Sequence, residues 1–173
     1  LINEAADTNT AFSEYELSKS YHDINDSVDG GLLDIAKRNL IFNNFRSDVV
    51  ANLLDGTFNS DVINSVSKSA WVKTVDAANE AYRPGQFTTF AAYEYTTSTE
   101  ELGNLHRNVV FRGTDKLPAV PFSRLNSINP EGLWSWMDGL REQGIESLAI
   151  PHNSNGSNGA MFAFTDWAGN TID

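Results

Sequence analysis

The chain has 173 residues, of which 40% are hydrophobic and 11% are aromatic, a composition typical of a folded domain with a core. Its formal net charge of −11 argues against nucleic-acid binding, because a phosphate backbone requires a basic protein face. It contains no cysteine, so disulfides and thiolate chemistry are excluded. No apolar run approaches the roughly 18 residues of a membrane helix, and we expect no membrane span.

Residues 1–60 predict a helical, loop-rich segment that resembles an insertion. Apolar residues recur at helical spacing over 32–40 and again over 48–54, and Gly56 is the expected cap of the second run. A long helix is predicted from about residue 61 to about residue 82. Its start is indicated by Ser60 as the N-cap and by an acidic first turn.

The remainder of the chain predicts strands that alternate with a helix. Residues 87–97 are rich in aromatic and β-branched side chains, and residues 108–111 form a second strand-like run. Asn129-Pro130-Glu131 is a strong helix start, and Gly144 is the expected end of that helix. The apolar run 146–150 follows at once. Strand, helix and strand in this order predict an α/β fold, and parallel α/β folds collect their chemistry where strands end.

Three polar residues lie at the ends of these predicted strands. Glu94 is near the end of the first strand, His106 precedes the second, and His152 follows the third and opens a polar loop at 153–159. A carboxylate with two imidazoles suits zinc, manganese or iron better than calcium, which prefers oxygen ligands. We predict a divalent metal site here if the three side chains converge. The alternative is that each is an ordinary solvent-facing residue, as we interpret His22.

Other enzyme classes are disfavoured by missing motifs. The sequence has no glycine-rich phosphate loop, no H-E-x-x-H zinc motif and no G-x-S-x-G serine nucleophile. Arg107 and Arg112 are candidates for contact with a substrate phosphate, although an exposed arginine needs no such role. A second class of function stays open, namely a non-catalytic acidic module that binds a partner through its surface and through the 153–159 loop.

Four stretches of the sequence resemble one family in their order and approximate spacing. They are Tyr93-Glu94-Tyr95-Thr96, Leu105-His106-Arg107-Asn108-Val109-Val110-Phe111-Arg112, Pro130-Glu131 with Leu133-Trp134, and Ala149-Ile150-Pro151-His152-Asn153-Ser154-Asn155. The family is a domain of unknown function related to the polymerase-and-histidinol-phosphatase (PHP) superfamily of metal-dependent hydrolases. The resemblance covers about 71–164, and it identifies residues 61–173 as the central part of a PHP-like domain.

This resemblance implies a distorted (β/α) barrel with a two- or three-metal site that hydrolyses phosphate esters. By position, Glu94 resembles the bridging carboxylate and His106 and His152 resemble histidine ligands. Glu94 and His152 are then the catalytic pair, and Arg107 and Asn153 are the expected contacts to a small-molecule phosphate ester.

The sequence also departs from the PHP pattern. The His-x-His, Thr-Asp-His and Asp-x-His motifs of that superfamily are absent from it, and it does not begin with Met. We therefore interpret it as an internal fragment of a longer hydrolase, whose compartment stays open. We expect it to bind metal weakly, to have little activity, and to be capable of dimerising through surfaces that the fragment exposes.

Overall fold

The computed structural model describes residues 5–22, 31–54 and 60–171. The chain folds into two compact units, with the division between residues 70 and 71. Each unit has its own cluster of buried hydrophobic side chains. None of the helices in the described ranges combines the length and apolar composition that a membrane crossing requires.

The first unit is helical. A 3₁₀ turn at Ala11–Glu14 leads into the short helix α1, Glu16–Lys19, and the long helices α2, Leu32–Leu54, and α3, Ser60–Ala81, follow. The division between the units falls within α3, so residues 71–81 of this helix belong to the second unit. The sequence predicted two helical runs where α2 is one helix of 23 residues. The helix continues because buried Phe45 and Val49 lie four residues apart and extend the apolar stripe across the polar middle. The predicted cap at Gly56 lies outside the described residues.

The second unit contains a sheet of three strands and a separate hairpin. The strands of the sheet are β1, Ala92–Tyr95, β4, Arg107–Phe111, and β5, Ser147–Pro151. They lie in the order β1-β4-β5, and both pairings are antiparallel. The hairpin pairs β2, Ser98–Thr99, with β3, Gly103–Asn104.

The mixture of helices and sheet confirms the α/β prediction in its coarse form, but the expected barrel is not formed by the described residues. The sheet there is antiparallel and open, with three strands. The connection from β1 to β4 explains this direction, because it holds only a hairpin and is too short for the crossover that parallel strands need. The predicted strand at 87–97 is also shorter in the structure, where exposed Phe87 and Phe90 precede β1.

Helix α4, Pro130–Glu142, forms where the sequence predicts it. Asn129 Oδ1 accepts the backbone N–H of Glu131 at 2.9 Å, and Pro130 occupies the first turn, where its missing N–H costs nothing. The helix ends before Gly144, which has a φ of +78°. Its buried residues join a core of sheet and helix side chains: Trp71, Ala91, Tyr95, Val109, Phe111, Leu133, Met137, Leu140 and Ile145.

The three-stranded sheet has one buried face and one exposed face, because side chains alternate along each strand. On β4 this alternation buries Val109 and Phe111 and exposes Asn108. Glu94, Asn108 and Ile150 are aligned across the sheet and are all exposed. The candidate metal ligands therefore lie on the side of the sheet that the core leaves open.

Candidate metal centre

The three predicted metal ligands meet at one end of the sheet. Strands β1 and β5 both run antiparallel to β4, so their carboxyl ends meet the amino end of β4. Glu94 is one residue from the end of β1, His106 directly precedes β4, and His152 directly follows β5. The backbone N–H of His152 donates to His106 O at 3.1 Å, which extends the ladder by one more pair. The convergence that the predicted metal site requires therefore depends on the antiparallel direction, because in a parallel sheet His106 would lie at the opposite end from Glu94 and His152.

The side-chain atoms of the three residues form a compact group. Glu94 Oε1 is 3.1 Å from His106 Nδ1 and 3.3 Å from His152 Nε2. The two imidazole rings are nearly perpendicular, with centroids 6.0 Å apart. One candidate ligand atom from each residue lies within 4.8 Å of the others, a spacing that a single bound cation can bridge.

The group is closed on the protein side and open on the other. The side chain of His106 is 15% exposed, that of His152 is 31% exposed and that of Glu94 is 44% exposed. Catalytic metal sites keep at least one position for water or substrate, whereas structural sites are filled by protein ligands. Two imidazoles and one carboxylate on an exposed face fit the first kind of site.

The hydrogen bonds around His106 assign its tautomer. Ser98 Oγ has a single proton, which it donates to Asn104 Oδ1 at 2.9 Å. Ser98 Oγ must therefore act as the acceptor towards His106 Nε2, at 3.2 Å, so that Nε2 carries the ring proton. In a neutral ring Nδ1 is then a bare lone pair that faces the Glu94 carboxylate at 3.1 Å. Two acceptors repel at this distance unless a cation or a proton lies between them.

The His152 ring also has few hydrogen-bond partners. Its Nδ1 atom is buried and has no hydrogen-bond partner among the described residues. Its Nε2 atom faces Glu94 Oε1, the same oxygen that faces His106. One carboxylate oxygen is thus the polar neighbour of both rings. This arrangement fits a site in which the oxygen and the two ring nitrogens are directed at a shared cation.

The β2–β3 hairpin holds Ser98 and Asn104 in place, and little in the sequence indicates it. Its strands are two residues long and lie between the two strands that the sequence predicts. Gly103 has a φ of +64°, and a Cβ atom there would lie 2.2 Å from the backbone oxygen of Gly156. Only glycine permits this approach of the hairpin to the 3₁₀ turn Ser154–Gly156. A glycine in a polar loop was the one signal that pointed to the hairpin.

The remaining predicted site residues lie apart from this group or beside it. Arg107 is buried with its guanidinium carbon 4.8 Å from the Trp134 ring, so it projects towards α4 and away from Glu94. Arg112 is at the other end of β4, where it pairs with Glu146 at 2.6 Å. Asn153 directly follows His152, is exposed and has a left-handed backbone with a φ of +59°.

His22 belongs to the first unit. Its Nε2 atom is 3.0 Å from Ser13 O, so it takes part in a local contact of that unit. The sequence interpretation of His22 as an ordinary residue therefore stays consistent with its surroundings.

Comparison with known proteins gives the family of the chain. No curated protein and no solved structure matches it. A family model described as "Protein of unknown function (DUF3604)" matches residues 1–173, which extends the likeness beyond the 71–164 stretch that carried the sequence motifs. The chain belongs to the DUF3604 family.

Proposed function

We propose that the chain carries the metal centre of a metal-dependent hydrolase, a phosphoesterase related to the PHP superfamily. The observation that carries the proposal is the group formed by Glu94, His106 and His152, in which one carboxylate oxygen faces two ring nitrogens at 3.1 and 3.3 Å. The Ser98–Asn104 hydrogen bond adds to it, because it leaves a lone pair on His106 directed at that oxygen.

A divalent zinc, manganese or iron ion at this group would lower the pKa of a bound water and polarise a phosphoryl oxygen. The chain's own residues supply the rest of the site. Glu94 contributes negative charge that holds a cation, and His106 and His152 contribute neutral nitrogen ligands. Ser98 fixes the orientation of the His106 ring, as outer hydrogen-bond partners of metal-bound histidines do.

The exposed face of the sheet also determines which residues are able to meet a substrate at this centre. Asn153 follows His152 and is exposed, so its amide is accessible to a substrate oxygen. Arg107 is directed to the other face of the sheet and is therefore not among the expected substrate contacts. Charge neutralisation of a phosphate ester then falls to the metal rather than to an arginine.

Metal binding is the first property to test, because the sequence lacks the PHP motifs that would supply further ligands. We expect zinc and manganese to bind the chain in calorimetric titrations and to raise its melting temperature, since a ligand that binds only the folded state stabilises it. In the double variant His106→Ala, His152→Ala the affinity falls at least 100-fold. Glu94→Gln, which keeps the size of the side chain, weakens binding at least tenfold.

His22→Ala is the matched control, because it removes the third histidine without touching the group. It leaves zinc affinity within twofold of the parent chain. Zinc binding that is indifferent to the double substitution, or that His22→Ala reduces as strongly, would contradict the proposal. It would favour the alternative of a non-catalytic binding module. Metal-dependent hydrolysis of a generic aryl phosphate by the full-length protein, lost in Glu94→Gln, then tests the reaction class.

A further inference from the structure

A pocket lies in the same unit as the candidate metal group, on the other side of β4. It is a cavity of about 400 Å³ beside the first turn of α4, within the size range of small-ligand sites. None of Glu94, His106 and His152 lines it. Its wall combines the Arg107 guanidinium with several large apolar side chains: Leu102, Leu105, Trp134, Met161 and Trp167.

Arg107 is almost fully buried, which is unusual for a charged residue. It is only 7% exposed, and the one hydrogen bond that its side chain makes with the described residues runs from Nη1 to Leu105 O, at 2.7 Å. None of the ion pairs among those residues involves Arg107. Its guanidinium lies over the Trp134 ring, which leaves further N–H donors of the planar fork for another acceptor.

A buried guanidinium without a carboxylate partner is costly, because the aromatic ring and one carbonyl replace only part of its hydration. Burial accordingly lowers the pKa of Arg107. A carboxylate ligand in the cavity would offset this cost through two parallel hydrogen bonds, the geometry for which arginine is best suited.

The other charged residues of the cavity restrict which ligands can bind there. Arg107 is the one cation among the described residues that line it, whereas Glu101, Glu131 and Asp166 also line it. Glu131 accepts hydrogen bonds from Trp167 N and from the Asn129 amide, and Asp166 accepts two from Asn170. The Glu101 carboxylate makes no hydrogen bond or ion pair with the described residues. These carboxylates repel an inorganic dianion, but they attract a ligand that carries a cation next to its own carboxylate.

We propose that this cavity binds a free α-amino acid with an apolar side chain. Arg107 pairs with the α-carboxylate, Glu101 receives the α-ammonium group, and the apolar wall with its two indoles contacts the side chain. This site is distinct from the metal centre, and its occupation does not require the proposed hydrolase activity.

Calorimetric titration of the whole chain with L-leucine tests the proposal, with EDTA present because amino acids chelate divalent metals. We expect saturable binding, together with shifts of the indole N–H resonances of Trp134 and Trp167. Leucinamide lacks the carboxylate and N-acetyl-leucine lacks the ammonium group, so each binds at least tenfold more weakly. These analogues test both contacts without altering the protein.

Variants of the protein test the same two contacts by changing the protein instead of the ligand. Arg107→Lys keeps the charge but loses the planar fork, and Glu101→Gln keeps the size but loses the charge, so each weakens leucine binding at least tenfold. Arg112→Lys and Glu100→Gln are the matched controls, because neither residue lines the cavity, and they change the affinity less than twofold. Glu94→Gln also leaves leucine binding unchanged.

Three results would overturn the proposal. The first is the absence of leucine binding by the folded chain. The second is equal binding of leucine and leucinamide, which would remove the carboxylate contact. The third is binding of inorganic phosphate in place of leucine, which would make the cavity a simple anion site.

Discussion

The two faces of the three-stranded sheet differ in what holds their side chains. On the buried face, Tyr95, Val109 and Phe111 are enclosed by α4 and the surrounding core. On the other face, Glu94, Asn108 and Ile150 are exposed, and His106 at the end of that face contacts Ser98 of the β2–β3 hairpin. One face of the sheet therefore contributes to the stability of the core, whereas the other face is free to carry a group of polar side chains at its end.

The sharpest test of this difference is to truncate one residue on each face. Phe111→Ala removes a fully buried ring from the core and is expected to lower the free energy of unfolding by about 3–5 kcal/mol. Ile150→Ala, at a residue that is 49% exposed, is expected to change it by about 0.5 kcal/mol or less. Urea unfolding measures both. A large loss in Ile150→Ala would show that another surface covers this face in solution, as the expected dimer would.

The exposed face is tested next through the hydroxyl that orients His106. Ser98→Ala removes the acceptor for His106 Nε2 and is expected to weaken zinc binding by about 10–100-fold, while the unfolding free energy changes little. Calorimetric titration measures the affinity. Ser135→Ala, an exposed serine on α4, is the control and should bind zinc as the parent chain does. Equal affinities in Ser98→Ala and the parent would remove the hairpin from the metal centre.

A smaller effect is expected at the helix that covers the buried face. Asn129→Ala removes the cap of α4 and leaves the Glu131 N–H without its acceptor, which is expected to cost about 1 kcal/mol of unfolding free energy. The zinc affinity should stay within twofold, because the cap acts only through the buried face. If both quantities fell together, the two faces would be coupled more tightly than their separate contacts indicate.

The smallest effect concerns the pH dependence of stability on the buried face. Burial raises the pKa of Tyr95, so the unfolded chain ionises this residue first as the pH rises through about 10. The stabilisation is complete below that pH and is lost as the pH approaches the raised folded value. Tyr95→Phe should therefore lose less stability than the parent between about pH 9 and pH 11, as followed by urea unfolding. A similar decline of stability in both proteins would show that the pKa of Tyr95 does not change on unfolding.

The members of the candidate metal group could be chosen from the sequence because each depends on a local feature. Glu94, His106 and His152 each lie within two residues of a strand end in the structure, and the apolar pattern located all three strands. Their convergence, in contrast, depends on the antiparallel direction of β4, which brings His106 to the same end of the sheet as Glu94 and His152. The start of α4 was also readable, since Asn129 and Pro130 act on the backbone next to them.

Features that depend on contacts distant in sequence could not be predicted. Whether β5 runs parallel or antiparallel to β4 is determined by pairing across the chain, and no local pattern records it. The interpretation of Arg107 as a phosphate contact had the same origin. Its neighbour His106 faces the open side, but alternation on β4 directs Arg107 to Trp134. The contact of Ser98 with His106 depends on the hairpin, and strands of two residues are too short to leave a pattern in the sequence.

Because His106 and Arg107 are adjacent in sequence, both proposed ligand sites depend on the register of β4. A deletion of Asn108 that leaves Val109 and Phe111 in the core would move Arg107 into the position that now pairs with Glu94. A slip that brought Arg107 alongside Glu94 would place a permanent cation where the two imidazoles now meet a carboxylate. The resulting ion pair would exclude metal without destroying the strand, so a well-folded protein could lose both proposed ligand sites through the loss of one codon.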